Sequence, residues 1–299
     1  MYTMGRRRTQ VLDGIQTRDG RWLTVEEYGD RDGTPVVLLH GTPGCRSGVV
    51  PDDVVKAHPW VRFIAYDRPG YADSDRHPGR RVADAARDVA DLADALGLEK
   101  FSVLGRSGGA PHALACAALL PARVRRAAAL VSLAPPDAEG LSWFDGMAAA
   151  NVEDYTLALT DTLAFAERLA SRAAAIRQDP AQLLVTIRDG LTDADRRIVS
   201  QPAIGDMLLR NYREALRTSA YGWLDDALAL LSHWGFDPAD ITRPVLLWHG
   251  AQDRFSPVGH FEWLLDRVPR ARPVLDPDAG HFGAIEALPA VLEWLCPAS

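Results

Sequence analysis

Apolar runs alternate with helix-patterned segments in the first and last parts of the chain. Continuous or alternating apolar residues predict strands. The predicted strands are 22–28, 35–39, 61–66, 101–104, 127–133, 244–248 and 272–275. Helical spacing fills the gaps between them, as in the stripe from Val82 to Leu96 that stops at Gly97. Strands that alternate with helices at this spacing indicate right-handed crossovers and a mostly parallel sheet, an α/β fold.

The alternation stops between Asp137 and Asp237. This stretch is rich in alanine, leucine, arginine and glutamate and contains no strand-like apolar run, so it is predicted to be helical. A helical insert between two strands would lie over the carboxyl edge of the sheet, where α/β proteins bind ligands. The predicted organisation is a core over 1–136, a helical cap over 137–237 and a second part of the core over 238–299.

Aromatic residues are scattered through the predicted cap, and eight of them are considered for its core or for a pocket. Most are expected to form the core of the cap, and one or two to line a pocket for the substrate. They are Trp143, Phe144, Tyr155, Phe165, Tyr212, Tyr221, Trp223 and Trp234.

One serine lies at a predicted junction between a strand and a helix. The strand ends near Leu104, the residues Gly-Arg-Ser-Gly-Gly occupy 105–109, and helical spacing begins at Ala110. Glycine is needed on both sides of such a sharp turn because a side chain would collide with the backbone. The turn would present the Ser107 hydroxyl above the sheet, beside free N–H groups of the helix. This context predicts a nucleophile rather than an ordinary turn serine.

A nucleophilic serine needs a base, and the base needs an acid that orients it. After a turn of this kind the acid follows first along the chain and the histidine second. Asp253 follows a predicted strand, and His281 follows the last one, with Gly280 expected to allow a tight turn. Asp276 and Asp278 are rivals for the acid, although Asp278 lies too close to the histidine in sequence to face its ring easily.

The tetrahedral intermediate of acyl transfer needs two backbone N–H donors for its oxyanion. One is predicted from Gly108, the residue after the nucleophile. The other is assigned to Thr42, in the loop after the second predicted strand, where Gly41 and Gly44 allow the backbone to turn inward. His40 in the same loop is expected to hydrogen-bond within the loop rather than to react.

Other polar residues near these segments are given structural roles. Asp67, after the third predicted strand, is expected to brace its turn against Arg68 or Arg46. Asp225 and Asp226 could cap a helix or reach the site, and the capping role is favoured.

Charge and cysteine content narrow the possible partners. The chain has 299 residues and a formal net charge of −7, which argues against a nucleic-acid or anionic-membrane partner. No apolar stretch approaches the roughly 20 residues of a membrane-spanning helix. No apolar run follows the arginines at 6–8, so no secretory signal is predicted.

The three cysteines are odd in number and lack metal-ligand spacing, which fits packing as small apolar groups in a reducing compartment. They are Cys45, Cys116 and Cys296. The expectation is a cytoplasmic protein that acts on a small molecule, needs no metal or organic cofactor, and is a monomer or a homodimer.

Five segments, in chain order, resemble motifs of the α/β-hydrolase superfamily. They are His-Gly-Thr-Pro-Gly at 40–44, Asp-Arg-Pro-Gly-Tyr-Ala-Asp-Ser at 67–74, the serine segment at 105–109, Gly-Ala-Gln-Asp at 250–253 and Gly-His-Phe at 280–282. With a helical cap, this set is similar to the branch that holds proline iminopeptidases, small esterases and lactone hydrolases. The resemblance implies a mostly parallel eight-stranded sheet flanked by helices, and hydrolysis through an acyl-enzyme.

Two positions depart from the family pattern. Ala72 stands where the family often has glycine. Arg106 occupies the first variable position of the serine segment, where it could pair with a carboxylate of the cap or reach solvent.

The residues and the resemblance together predict a serine hydrolase for a small carboxylic ester or lactone. An enzyme that removes an N-terminal proline is an alternative, since the cap offers Glu153, Asp154 and Asp161 to bind a free ammonium group. A member of the fold that binds a small molecule without turnover is a second alternative.

Overall fold

The computed structural model describes residues 13–297. The arginines at 6–8 lie outside the described residues. Two short strands come first, β1 (Ile15–Gln16) and β2 (Trp22–Leu23). They pair only with each other, in antiparallel register with Ile15 opposite Leu23.

The main sheet within residues 13–297 has seven strands. They are β3 (Val25–Gly29), β4 (Thr34–Leu39), β5 (Val61–Tyr66), β6 (Phe101–Arg106), β7 (Val124–Leu130), β8 (Val245–Gly250) and β9 (Ala271–Asp276). Their spatial order is β3-β5-β4-β6-β7-β8-β9, with β3 antiparallel to β5 and every other pair parallel. Each strand predicted from the sequence is present, with its ends moved by a few residues.

The sheet has one strand fewer, among the described residues, than the eight implied by the family resemblance. The predicted strand 22–28 is divided at Thr24, whose N–H donates to the Ser74 hydroxyl at 3.0 Å instead of to a neighbouring strand. The segment ahead of β3 is therefore held by a loop and by its own two-residue pairing, and it adds no strand to the sheet.

The side of the sheet on which the next strand is added changes after β4. From β4 it passes to β5 on one side and then crosses to β6 on the other, with Leu39 of β4 opposite Gly105 of β6. Such a switch point opens a crevice beyond the carboxyl ends of the two strands, which is where open α/β sheets bind ligands.

Helices cover both faces of the sheet. They are α1 (Asp52–Ala57), α2 (Ala85–Ala95), α3 (Ala110–Leu119), α10 (Val258–Arg267), α11 (Gly283–Glu286) and α12 (Leu288–Leu295). Side chains along β4 alternate between two buried clusters, Val37 and Leu39 in one and Val36 and Leu38 in the other. The parallel strands are thus buried on both faces, as their continuous apolar runs predict.

Six helices lie between β7 and β8, and we call them the helical insert. They are α4 (Ala149–Thr160), α5 (Thr162–Gln178), α6 (Ala181–Ile187), α7 (Asp193–Val199), α8 (Pro202–Ala215) and α9 (Tyr221–Leu230). This confirms the predicted helical character of the stretch. Among the described residues, no helix is both long enough and apolar enough to span a bilayer.

Candidate active site

Ser107 lies immediately after β6 and begins the turn that leads into α3. Its φ of +55° is in the left-handed region, which costs free energy for a residue with a side chain. A Cβ on Gly105 would lie 2.2 Å from the Gly109 carbonyl oxygen, and one on Gly109 would lie 2.2 Å from that of Leu39. The predicted sharp turn between a strand and a helix is therefore present, and glycine is required on both sides of it.

The structure brings the three predicted catalytic side chains together. The His281 Nε2 lies 3.0 Å from the Ser107 Oγ, and the His281 Nδ1 lies 2.7 Å from the Asp253 Oδ2. Because a carboxylate can only accept, Nδ1 carries the proton and Nε2 is left to accept from the serine hydroxyl. The rival acids lie elsewhere, at the turn after β9, where the Asp276 carboxylate accepts the Asp278 N–H at 3.0 Å.

Asp253 is held in the ionised form. Burial would raise its pKa, but the neighbouring His281 and the hydrogen bonds it accepts lower that pKa below the ordinary value. Its second oxygen accepts the N–H groups of Phe255 at 2.7 Å and Ser256 at 3.0 Å. These bonds fix the carboxylate so that it faces the histidine ring.

The two predicted oxyanion donors belong to backbone segments in direct contact. A Cβ on Gly108 would lie 2.2 Å from the Thr42 Oγ1 and 3.3 Å from the Thr42 nitrogen. Within residues 13–297, the Thr42 N–H donates to no protein acceptor. It is therefore available to an oxygen atom bound beside Ser107.

His40 holds the loop that carries Thr42. Its Nδ1 donates to the Gly41 carbonyl at 2.8 Å, and its Nε2 accepts the Arg68 N–H at 3.0 Å. Burial holds the pKa of His40 well below its ordinary value, so the ring stays neutral. The predicted structural role of this histidine is confirmed.

Asp226 connects the helical insert to the same loop. It is fully buried within α9, and its carboxylate accepts from the Thr42 Oγ1 at 2.6 Å and the Tyr71 hydroxyl at 2.8 Å. The guanidiniums of Arg68 and Arg80 also donate to it. Burial would raise the pKa of Asp226, but the two guanidiniums outweigh it and hold the pKa well below its usual range.

The predicted capping role of Asp225 and Asp226 is wrong. Helix α9 begins at Tyr221, so both carboxylates lie in its second turn, beyond reach of the free N–H groups at its start. Asp225 instead pairs with Arg76, with 2.8 Å between Nε and Oδ2. Helical spacing around these residues does not reveal the arginines, which lie far away in sequence.

Asp195 of α7 braces the loop of the histidine. Its buried carboxylate accepts the Phe282 N–H at 2.7 Å, next to His281. A Cβ on Gly280 would lie 2.3 Å from the Asp195 Oδ2. Glycine is needed there for the close approach of this carboxylate, and not for the tight turn that the sequence suggested.

Two further predictions concern residues beside the Thr42 loop. Asp67 accepts the Arg46 N–H at 2.7 Å and pairs with its guanidinium, which confirms Arg46 as the brace of that turn. Burial raises the pKa of Cys45 to about 12, so its thiol stays protonated and acts as a small apolar group.

Comparison with known proteins gives the family. A sequence model described as "alpha/beta hydrolase fold" matches residues 34–288. The chain belongs to this family. Over 273 residues this α/β-hydrolase is 29% identical to the pimeloyl-[acyl-carrier protein] methyl ester esterase of Nitrosomonas europaea, covering 87% of the chain and 92% of the relative.

Two more similarities place the chain within a broad group. This α/β-hydrolase is 35% identical over 117 residues to the proline iminopeptidase of Neisseria gonorrhoeae, covering 37% of the chain and 36% of that relative. The crystal structure of the enol-lactonase from Burkholderia xenovorans LB400 matches with a TM-score of 0.68 at 20% identity, covering 94% of the chain and 97% of that structure. The structural match shows a shared fold.

The α/β-hydrolase has a cavity of about 150 Å³ at Ser107. Ser107 and His281 line it from the core, and the insert closes the other side. Its aromatic lining is Tyr155, Phe165, Tyr212, Trp223, Phe255 and Phe282. Four of these belong to the eight aromatics of the predicted cap, more than the one or two expected.

The cavity is lined by few charged side chains. They are Arg106, Asp154 and Arg172. Asp154 is already paired with Arg172 and with Arg168, whose Nη1 lies 2.9 Å from Oδ1. The two other acidic residues considered for an ammonium group do not line the cavity: Glu153 is exposed, and Asp161 accepts the Ala164 N–H at the start of α5.

Within the part of the chain that the structure describes, Arg106 neither pairs with a carboxylate of the cap nor extends into solvent, the two possibilities suggested by the sequence. It is only 7% exposed, and no carboxylate of the described residues pairs with it. It is the last residue of a central strand, and its guanidinium donates to the Gly48 carbonyl and lies near Tyr212 of the helical insert. No group of three or more His, Cys, Asp or Glu residues among those described could hold a metal ion.

Proposed function

We propose that this α/β-hydrolase is a serine hydrolase that cleaves a small carboxylic ester or lactone through an acyl-enzyme. The observation that carries the proposal is the unbroken hydrogen-bonded chain from Ser107 through His281 to Asp253. Nucleophile, base and orienting acid in this order are the arrangement that acyl transfer requires. The helical insert would act as the cap that shields the reaction from water.

Acylation begins when the Ser107 Oγ bonds to the substrate carbonyl carbon and its proton passes to the His281 Nε2. The carbonyl oxygen becomes an oxyanion and accepts the N–H groups of Thr42 and Gly108. The carbon–oxygen bond to the leaving alcohol then breaks, and His281 gives its proton to the alcohol oxygen. In a lactone the alcohol stays attached to the acyl group.

Deacylation repeats these steps with water. Water gives a proton to His281 while its oxygen bonds to the acyl carbon, and the bond to the Ser107 Oγ breaks. The serine oxygen takes the proton back, and the acid leaves. In both halves Asp253 stabilises the positively charged imidazole ring.

The cavity and the relatives support the proposed substrate class. A cavity of about 150 Å³ lined by aromatic rings suits a small, largely apolar acyl group. A methyl ester esterase and an enol-lactonase are among the proteins that this chain resembles, which supports ester or lactone substrates.

A proline aminopeptidase is the second candidate, because part of the chain is similar to a proline iminopeptidase. A free ammonium group would need an unpaired carboxylate. Asp154 is the acidic residue in the cavity, and two arginines already neutralise it. An ester or lactone hydrolase is therefore favoured over a proline aminopeptidase.

The test is labelling with a neutral alkyl fluorophosphonate, followed by measurement of the intact mass. We expect one adduct per chain in the wild type and in Ser200→Ala, a serine at the end of α7 away from the site, and none in Ser107→Ala. Absence of an adduct on folded wild-type protein would contradict the proposal and favour a protein that binds without turnover.

A substrate panel then separates the two enzymes. It contains nitrophenyl esters, lactones, and proline amides with the amine free or acetylated. Hydrolysis of esters or lactones supports the proposal. Activity confined to proline amides with a free amine would make the chain an aminopeptidase.

A further inference from the structure

Arg106 is a buried cation without an anion. The residue lines the same cavity as Ser107 and is 7% exposed. The Nη2 donates weakly to the Gly48 carbonyl at 3.4 Å, and the Nε has no hydrogen-bond partner among the described residues. Burial lowers the pKa of Arg106, and no neighbouring carboxylate compensates.

The other buried arginines are different. Arg68 and Arg80 are as buried as Arg106, and both donate to the carboxylate of Asp226. Arg172, the second arginine of the cavity, pairs with Asp154. Charged side chains are rarely buried unless paired, since desolvation disfavours the charge. Arg106 alone among these four lacks its counter-charge within the described residues.

The neighbours of Arg106 cannot supply a negative charge. Burial raises the pKa of Tyr212 to about 12, so this phenol stays neutral. The amide oxygen of Asn211 already accepts the Cys45 N–H at 2.8 Å. Two arginines and one aspartate leave the cavity positively charged in a chain whose formal net charge is −7. A ligand can supply the missing charge.

We propose that the substrate carries an ionised carboxylate besides its ester or lactone carbonyl, and that Arg106 binds it. This inference rests on the hydrolase function proposed above. A guanidinium binds a carboxylate through two parallel N–H···O bonds, and the vacant donors of Arg106 suit that geometry. Because Arg106 and Ser107 are adjacent in sequence and line one cavity, we expect the two groups to be few bonds apart, as in half-esters of short dicarboxylic acids or in lactones that bear a carboxylate.

The test compares two substrates that differ only in charge. The first is the mono-para-nitrophenyl ester of glutaric acid, and the second is the same ester with its free carboxylate replaced by a primary amide. We expect the wild type to favour the carboxylate by about 10- to 100-fold in kcat/KM, mostly through a lower KM. Equal kcat/KM for the two esters would overturn the inference.

Variants assign the preference to Arg106. In Arg106→Gln we expect the ratio of the two kcat/KM values to fall by about 10-fold or more, and in Arg106→Lys to fall less. Arg196→Gln is the matched control, because it removes one positive charge from an exposed residue of α7. The control should keep the wild-type ratio. A ratio unchanged in Arg106→Gln would overturn the assignment.

Labelling separates this inference from the proposed function. If the fluorophosphonate fails to label the wild type, the hydrolase function itself fails. If labelling succeeds and glutarate slows it no more than glutaramide does, only the carboxylate site fails. This competition uses only the wild type, so it tests the carboxylate site even if Arg106→Gln does not fold.

Discussion

Ser107 has a backbone conformation that suits glycine better than serine. Its φ is +55°, and Gly97, at the end of α2, has a similar φ of +66° with open space around an added Cβ. We expect Ser107→Gly to be more stable than Ser107→Ala by about 1 kcal/mol, because glycine adopts this conformation without steric cost. Urea unfolding of the two variants measures the difference.

Gly97→Ala is the reference for that comparison. It should lose about 1 kcal/mol through backbone conformation alone, since the added Cβ contacts nothing within 4 Å. An alanine variant at Ser107 as stable as the glycine variant would mean that the turn stores no strain.

Asp253 contacts His281 and does not itself line the cavity at Ser107. In Asp253→Asn, we expect kcat to fall by about 10⁴-fold at neutral pH, because a neutral amide stabilises neither the correct tautomer nor the charged ring. Steady-state rates on a nitrophenyl ester measure this. Asp276→Asn, at the turn after β9, should keep the wild-type rate. A loss below about 10-fold in Asp253→Asn would assign the orienting role elsewhere.

At the scale of single elements, the sequence predicts the strands, turns and helices that are determined by residues close together in the chain. The strand ending at Arg106, the turn at Ser107 and helix α3 follow one another without a gap, so apolar pattern and glycine placement suffice to predict them. The pattern fails at Thr24, because the residue that takes its N–H is Ser74, fifty positions away. Period-two alternation cannot show that a distant hydroxyl interrupts the strand.

The sharp turn between β6 and α3, which we call the elbow, tolerates no side chain at its flanking glycines, Gly105 and Gly109. In Gly105→Ala, the new Cβ would lie 2.2 Å from the Gly109 carbonyl oxygen, so the backbone between β6 and α3 would have to shift. We expect a loss of at least about 3 kcal/mol in unfolding free energy, with loss of labelling at Ser107. Thermal and urea unfolding measure the first effect.

Gly79→Ala is the control for the elbow. Its φ is +72° and an added Cβ meets no atom within 4 Å, so only the backbone conformation is penalised, by about 1 kcal/mol. Similar losses in the two variants would show that the elbow can relax around a methyl group.

At the scale of the whole molecule, the site depends on contacts between the insert and the core. Asp226 reaches Thr42 and Arg68, and Asp195 reaches the loop of His281. The grouping of Ser107, Asp253 and His281 could be predicted because each follows a recognisable strand. The contacts of Asp226 and Asp195 that support this grouping could not be predicted. The partners in each contact are more than 80 positions apart, and neither partner has a local sequence pattern that indicates the other.

Removing the Asp226 carboxylate would deprive two buried guanidiniums, those of Arg68 and Arg80, of the anion that pairs with both. We therefore expect Asp226→Asn to lower the unfolding free energy by about 3–5 kcal/mol at neutral pH. Asp225→Asn, one position away, is the control. Asp225 is buried as well, but the side chain of its partner Arg76 is 34% exposed and can be hydrated, so the loss should be smaller than in Asp226→Asn.

The pH dependence of this loss identifies its cause. Because the two arginines hold the pKa of Asp226 below its ordinary 3.8, the unfolded chain takes up this proton first as the pH falls. The stabilising contribution is then complete above about pH 4 and is lost below it. Urea unfolding of the wild type and Asp226→Asn should therefore show a constant difference from pH 7 to about pH 4, and a smaller one below. A difference that grows as the pH falls from 7 to 5 would mean that the folded protein takes up the Asp226 proton before the unfolded chain does, and that Arg68 and Arg80 do not control its charge.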